Sequence, residues 1–438
     1  MFGPIVTDMA RIILKKGKGE SLKRFHPWVF SGAVQKIELG RREEEPAEGD
    51  VVEVWSHDGE FLGKGHFQIG SITVRILSFE NIPIDQNFWT DAIGRAYKER
   101  KALGLVKEGT ESVAPAENPA GYTNAYRLVH GEGDSLPGLI IDIYGRVAVI
   151  QAHSAGMFLS LPAIAEALKK TYGDNLDAIY DKSSATAPFK AGLDLNDGFI
   201  WVAEGKEAPS EDVVYENGNK FIVNWVEGQK TGFFLDQRDN RRLVGTYAHG
   251  KRVLNLFCYT GGFSIYALAG GALSVDSVDS SQRAMNMVDR NVELNGCRSH
   301  LPEGNCRSGE NDFVKRHTSY CEDALEFMRR CEAGKYDLMI VDPPAFAKHR
   351  GALDNALRAY KKLNAMAIEK VRSGGIIFTY SCSQVVDRNA FALAVFSAAA
   401  QTGRRVRILH RLTQPADHPV NIYHPEGEYL KGLVLYVE

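Results

Sequence analysis

From residue 253 onward, four apolar runs, VLNLF (253–257), LSVDSVD (273–279), DLMIVD (337–342) and GIIFTYS (375–381), alternate with stretches of helical spacing. A strand buried on both faces needs such an uninterrupted run, and a crossover helix must return the chain before the next parallel strand can start. The pattern predicts an open parallel sheet of the Rossmann-like α/β class within residues 212–438. A last pair, RRVRILHR and LKGLVLYV, follows with no helix between them and is expected to close the sheet as an antiparallel hairpin.

The rest of the chain does not share that rhythm. At 438 residues it exceeds the roughly 100–200 of one domain, so further units are expected. Residues 11–80 carry short β-type runs (RIIL, WVFSGAV, DVVEVW, FLGKGHF, ITVRILS) between Gly, Asp and Glu, the pattern of a small all-β barrel. Residues 81–125 read as a helical connector, FWTDAIGRAYKERKALGL, followed by the loop APAENPAG. Residues 126–211 read as an α+β unit: a polar loop over Arg127 to Asp134, a hairpin turning at Tyr144-Gly145-Arg146, the helix PAIAEALKKTYG and the strand AIYDKSS.

Charge and cysteine content narrow the class. Residues 11–42 hold nine Lys or Arg against Glu20 and Glu38, although the whole chain carries a net charge of only −3. Such a run is either a solvated face or a phosphate-binding surface, and Lys15, Lys16 and Arg24 are its candidate contacts. Six cysteines without a CxxC pair argue for free thiols over a disulfide framework. Cys297, His300 and Cys306, with His317 and Cys321 beyond them, are too irregularly spaced to assign a metal. No uncharged apolar stretch approaches bilayer length, and Asp8 and Arg11 spoil the N-terminus as a signal peptide, so a cytoplasmic protein without a membrane partner is expected.

Chemistry concentrates where the predicted strands end. VLNLFCYTGGFS sets Gly261 and Gly262 between a strand and a helix, where backbone can approach a ligand closely. The spacing is not the G-x-G-x-x-G of a pyrophosphate site. Asp279 ends the next strand, suited to ribose hydroxyls, and Asp323 in YCEDALEF stands where an adenine amino group could be met. Each acid alone reads as a helix N-cap, but together, behind a glycine turn, they describe a site for S-adenosylmethionine.

This order of motifs resembles the PUA-domain-containing 23S ribosomal RNA large-subunit methyltransferase I family, which forms 5-methylcytosine. GQKTGFFLDQRDNR (228–241) and ADHPVNIYHPEGEYLKGL carry the resemblance most specifically. It implies a PUA-type RNA-binding barrel, an α+β middle domain and a methyltransferase domain, large-subunit ribosomal RNA as partner, and a homodimer as an option. It also implies that Lys230, Thr231, Gly232 and Phe233 contact the cofactor, with Phe257 and Tyr259 beside them. The residues themselves read as a glycine turn, an aromatic shield for the sulfonium and a helix cap at Asp236.

IVDPPAFAK (340–348) and FTYSCS (378–383) should border the same cavity, because ligands in such sheets lie beyond the strands' carboxyl ends. Pro343 and Pro344 stiffen a floor on which a base can lie, with Phe346 either stacked on it or part of the core. Carbon 5 of cytosine becomes nucleophilic only after a thiolate adds at carbon 6, the role expected of Cys382; Asp342 is a candidate base. Two-cysteine enzymes of this chemistry carry a second thiol where this chain has Ala345. Purine-nitrogen methylation at a D-P-P site, and a cofactor-binding assembly factor whose turnover is dispensable, remain alternatives.

Overall fold

The computed structural model describes residues 9–40, 44–106, 121–188, 192–296, 312–347 and 349–438. At the N-terminus β1 (Arg11–Leu14), β2 (Trp28–Phe30), β3 (Val34–Glu38), β4 (Val51–Trp55), β5 (Phe61–Phe67) and β6 (Ile72–Ser78) form one sheet, ordered β2-β6-β5-β4-β1-β3. Alternate residues point inward, so Ile12, Leu14, Val52, Val54 and Val74 make a core of their own.

Helix α1 (Gln86–Ala102) starts at Asp85, whose side chain accepts the N–H groups of Asn87 and Phe88. Its buried face, including Phe88, Trp89 and Ile93, packs on a second sheet ordered β11-β10-β9-β8-β7. That sheet is built from β7 (Ala125–His130), β8 (Leu139–Tyr144), β9 (Val147–Ala152), β10 (Ala178–Asp181) and β11 (Gly198–Val202), with α2 (Ala155–Leu159) and α3 (Leu161–Tyr172) between β9 and β10. The stretch expected as a polar loop from Arg127 to Asp134 divides evenly: its first half belongs to strand β7, and Gly131–Asp134 forms a short 3-10 turn. Charged Arg127 interrupts an otherwise apolar strand, and its guanidinium is neutralised by Asp142 inside the protein.

The hairpin of β12 (Glu211–Glu216) and β13 (Asn219–Asn224) turns at Asn217-Gly218, both with positive φ (49° and 78°), the geometry that favours an Asn-Gly hairpin. The edge of β13 is not left open. Asn291 Oδ1 accepts the Ile222 N–H (2.8 Å) and Asn295 Oδ1 accepts that of Lys220 (2.9 Å).

The C-terminal sheet follows: α4 (Arg238–Tyr247), β14 (Arg252–Leu256), α5 (Gly262–Ala269), β15 (Ser274–Asp279), α6 (Gln282–Asn295), α7 (Asp312–Arg316), β16 (His317–Cys321), α8 (Ala324–Arg330), β17 (Leu338–Val341), α9 (Leu353–Lys370), β18 (Gly375–Ser381), α10 (Arg388–Thr402), β19 (Val406–Leu412) and β20 (Lys431–Val437). Strand order is β16-β15-β14-β17-β18-β20-β19, reversing between β14 and β17 and opening a crevice there. The expected α/β class holds. The expected antiparallel terminal pair is present as well, and the structure adds its order: β20 inserts between β18 and β19 and is antiparallel to both. Apolar KGLVLYV is buried along nearly its whole length and takes the interior, whereas VRILHRL, with its charges, stays at the edge.

Buried ion pairs join these layers. Arg127 on β7 makes two hydrogen bonds to Asp142 on β8 (2.7 and 2.8 Å). Arg238 on α4 reaches Asp417 (2.7 Å), which also accepts the Arg127 backbone N–H (3.0 Å), and Arg241 grips both oxygens of Glu216 (2.8 and 2.6 Å). Asp417→Ala strips Arg238 of its closer carboxylate and is expected to cost about 3–5 kcal/mol in urea titrations. Glu166→Ala, which removes an exposed partner of Lys169, should leave the titration unchanged.

Candidate active site

A cavity of about 270 Å³ lies at the carboxyl ends of β14, β15, β17 and β18. Its floor is the turn after β14, where Phe257 (φ 57°) and Tyr259 (φ 48°) adopt the left-handed conformation that side-chain-bearing residues rarely take. That twist aims the Tyr259 N–H at Asp279 Oδ2 (3.0 Å), while Ser281 N–H meets Oδ1 (3.0 Å). Each oxygen accepts one backbone donor and keeps a lone pair for a ligand hydroxyl. Gly261 (φ 81°) is required as glycine, because a Cβ there would stand 3.1 Å from the side chain of Val288.

Residues 228–237 cover the cavity. The Tyr259 hydroxyl accepts the Gln229 N–H (2.8 Å) and donates to Gly232 O (3.2 Å), pinning this cover to the floor. Phe233 forms part of the wall, its ring held under the Arg241 guanidinium at 4.5 Å. Arg241, already spent on Glu216 and on Phe234 O (2.8 Å), is no phosphate ligand. A carboxylate at a strand end, aromatic walls and a glycine turn suit a nucleoside bearing a sulfonium; a pyrophosphate would find no cradle.

Three groups of opposed character meet on the far wall. Burial, reinforced by the nearby charge of Asp236, raises the Asp342 carboxyl to about 7, although Gln237 Nε2 donates to it (2.9 Å). Burial and Asp342 push the Cys382 thiol up to about 11, and its Sγ lies 3.9 Å from Pro343 O. Burial therefore favours the protonated thiol, whose proton must pass to another group before the sulfur can add to a ring. Burial acts to raise Asp236 too, but Lys230, His418, the Tyr429 hydroxyl and Arg127 outweigh it and hold Asp236 below the usual carboxylate range. Tyr429 donates to Asp236 Oδ2 (2.7 Å); Oδ1 is buried without a hydrogen-bond partner. Asp236 was read as a helix cap, yet it lies in the short turn Leu235–Gln237 and caps nothing.

Of the sequence candidates, Lys230, Phe233, Phe257, Tyr259, Asp279, Asp342, Pro343, Pro344 and Cys382 line this one cavity. Thr231 and Gly232 do not. Thr231 is fully buried and donates to Asp142 Oδ2 (2.6 Å), fastening the cover to the middle unit, and Gly232 packs against β13. Gly261 stays behind the floor, where its neighbour Gly262 reaches the cavity instead. Asp323 is exposed and caps α8 through Leu325 and Glu326 N–H. Phe346 packs on Tyr360 (4.7 Å between centroids), on the core side. Lys15, Lys16 and Arg24 are exposed in the connection between β1 and β2 and do not line the cavity. Cys297, His300 and Cys306 lie outside the described residues; His317 Nε2 pairs with Ser277 Oγ (2.8 Å). The sequence reading missed Asp236, Gln237, Arg241 and Tyr429 as site residues; the dense polar run DQRDNR was the available signal for the first three, and Tyr429 stands 193 positions beyond Asp236.

A larger cleft of about 830 Å³ adjoins the cavity and shares Lys230, Phe233, Phe234 and Asp236 with it. Its other walls come from the N-terminal sheet (Trp28, Arg75) and the middle unit (His153, Lys182).

Residues 197–422 match the family described as S-adenosylmethionine-dependent methyltransferase, and residues 12–79 match a PUA-like domain. Proteins from Aeromonas hydrophila and Aeromonas salmonicida, each named ribosomal RNA large subunit methyltransferase I, are 38% and 39% identical to this chain. Each alignment covers 97% of this chain, and 99% and 98% of the respective relative. A solved Streptococcus mutans structure, named as a candidate SAM-dependent methyltransferase, superposes with a TM-score of 0.75 at 23% identity, over 98% of this chain and 100% of that one. A candidate methyltransferase solved in complex with SAH gives 0.77 at the same identity and coverage. These two share the fold. Among the described residues, no helix is long and apolar enough to cross a membrane.

The Asp342 carboxyl makes a pH prediction. Its folded value, about 7, stands above the ordinary 3.8, so the folded state holds this proton more tightly than the unfolded one. Its contribution to stability is complete below the unfolded value and is lost as pH rises through 7. Asp342→Asn, free of that loss, is expected to gain melting temperature relative to the wild type between pH 5 and pH 8.

Proposed function

Because the chain belongs to the S-adenosylmethionine-dependent family named ribosomal RNA large subunit methyltransferase I, we propose that it methylates carbon 5 of a cytosine in large-subunit ribosomal RNA, in the cytoplasm. The observation that carries this reading is the shared cavity of Cys382, Asp342 and Asp236, a thiol between two carboxyls of opposite tuning, facing the nucleoside-type floor. S-adenosylmethionine, when bound, supplies an electrophilic methyl group. Asp279, Tyr259, Phe257 and Phe233 are the residues that would hold it.

The chain's own groups account for the remaining steps. The Cys382 sulfur adds to carbon 6 of the cytosine, and the ring's electron pair moves through carbon 5 toward N3. Asp342, with a value near neutrality, relays the thiol proton to N3, so no buried thiolate need accumulate. Carbon 5, now enamine-like, accepts the methyl group. Asp236, ionised and with one oxygen unpartnered, takes the carbon 5 proton; the C–S bond breaks, the double bond re-forms, and N3 returns its proton. Two carboxyls pushed apart by their surroundings divide acid from base work. This assignment moves the base from Asp342, the sequence candidate, to Asp236. A purine-nitrogen methyltransferase has no use for a thiol at this position.

Cys382→Ala is expected to abolish methyl transfer while cofactor and RNA binding persist, measured with tritiated S-adenosylmethionine and by gel shift. Wild-type protein should form an adduct stable to denaturing gels on RNA carrying 5-fluorocytosine, whose fluorine cannot leave as a proton. Asp236→Asn should trap the same adduct on ordinary RNA, whereas Asp342→Asn should slow its formation. Undiminished methylation by Cys382→Ala would falsify the thiol mechanism.

A further inference from the structure

We infer that Phe25, Trp28, Phe30 and Tyr423 form a stacking platform for unpaired bases of an RNA strand, at the mouth of the cleft that leads to Cys382. The inference rests on the reading of the chain as an RNA methyltransferase and adds where, and by what contacts, the strand is held. The four rings come from two distant parts of the chain. Phe25 lies 5.2 Å from Tyr423 and Trp28 lies 6.1 Å from Phe30, centroid to centroid, and the His26 ring sits beside Trp28 and Phe30. Phe25, Phe30 and Tyr423 are 47%, 49% and 49% exposed, a cost a folded surface ordinarily avoids for rings in one patch.

The patch is built, not floppy. The Trp28 indole N–H donates to Glu132 Oε1 (2.9 Å), and its ring rests 4.3 Å from buried His424. Asn421 Nδ2 donates to Glu132 O (3.2 Å), so the same turn of the middle unit anchors both contributing segments. Phe25 closes the 3-10 turn Leu22–Arg24 in the left-handed conformation (φ 63°), its N–H donating to Leu22 O, and its ring is braced edge-on against Phe79 (5.3 Å) with about half its surface left open.

Charge and position identify the occupant. Lys15, Lys16, Lys18 and Arg24, all exposed, belong to the same connection between β1 and β2 that delivers Phe25 and Trp28. Cations on the same connection as half-exposed rings suit a single strand, phosphates on one and bases on the other; a duplex hides its base faces. Trp28 also lines the large cleft, so a strand lying on the rings continues toward Asp236 and the cavity.

The test is equilibrium binding of the full-length protein to a fluorescein-labelled single-stranded RNA of about a dozen nucleotides, beside a duplex of the same length. The double variant Phe30→Ala/Tyr423→Ala should bind the single strand roughly tenfold more weakly and the duplex about as the wild type does. Phe30→Tyr/Tyr423→Phe should restore single-strand affinity. Unchanged melting and S-adenosylmethionine binding show that the variants fold. Equal single-strand affinity of the alanine variant and the wild type overturns the platform, as does loss of a dimer on alanine substitution in sedimentation, which assigns the rings to a second copy. Ribosomal RNA methylation by the wild type, followed in parallel, keeps the two readings apart: its absence together with absent RNA binding sinks the methyltransferase reading, not the platform alone.

Discussion

Four largely buried guanidinium groups hold this molecule together. Arg100, Arg127, Arg238 and Arg241 have side chains between 0% and 12% exposed, and their carboxylate partners Asp134, Asp142, Asp417 and Glu216 are buried as deeply. A buried charge without its partner costs several kcal/mol, so each pair forces its two segments into register. Arg127 and Asp142 tie the adjacent strands β7 and β8, while the other pairs join segments that neither strand pairing nor a helix brings together: the 3-10 turn of the middle unit with α1, α4 with the approach to β20, and α4 with the β12–β13 hairpin. Thr231 adds a neutral tie to Asp142, and Tyr259 pins the cover from below. The cavity exists because these constraints agree on one position for residues 228–237.

The same burial tunes the chemistry. Water excluded from the far wall raises Asp342 and Cys382 together, whereas Asp236, a few residues along the cover, is surrounded by Lys230, His418, Tyr429 and Arg127 and stays ionised. The proposed sharing of acid and base work between the two carboxyls follows from who their neighbours are. Both residues are Asp, and nothing in the residue type distinguishes them. Cys382 needs a nearby proton acceptor for the same reason, since burial alone makes it a poor nucleophile.

Much of the site could be read before any coordinates, wherever the chemistry is local. The glycine turn after β14, the acid ending β15, the Asp-Pro-Pro after β17 and the cysteine after β18 are each written in a few consecutive residues, and the rule for strand carboxyl ends gathers them into one crevice. Family resemblance added residues 230–233, but only two of those four face the cavity. Thr231 points to Asp142, almost ninety positions earlier, and no periodicity announces such a pairing. Phe346 was balanced between base and core, and Tyr360 on α9 decided for the core. Asp236 was taken for a cap because an acid ahead of a helical stretch usually is one; the intervening 3-10 turn moves it off the helix end.

The sequence by itself determined the alternation of buried strands and crossover helices, the all-β character of the N-terminal unit, and the residue types available at each strand end. Those properties depend on neighbours within a turn or two of chain. Tertiary structure alone decided that β20 takes the interior place beside β18, that the Asp342 carboxyl is pushed up while that of Asp236 is held down, and that Trp28 meets His424 across almost the full length of the chain. Each of these outcomes depends on which distant groups exclude water from one another. Burial and the electrostatics it produces are properties of the assembled interior, and no local stretch of residues contains them.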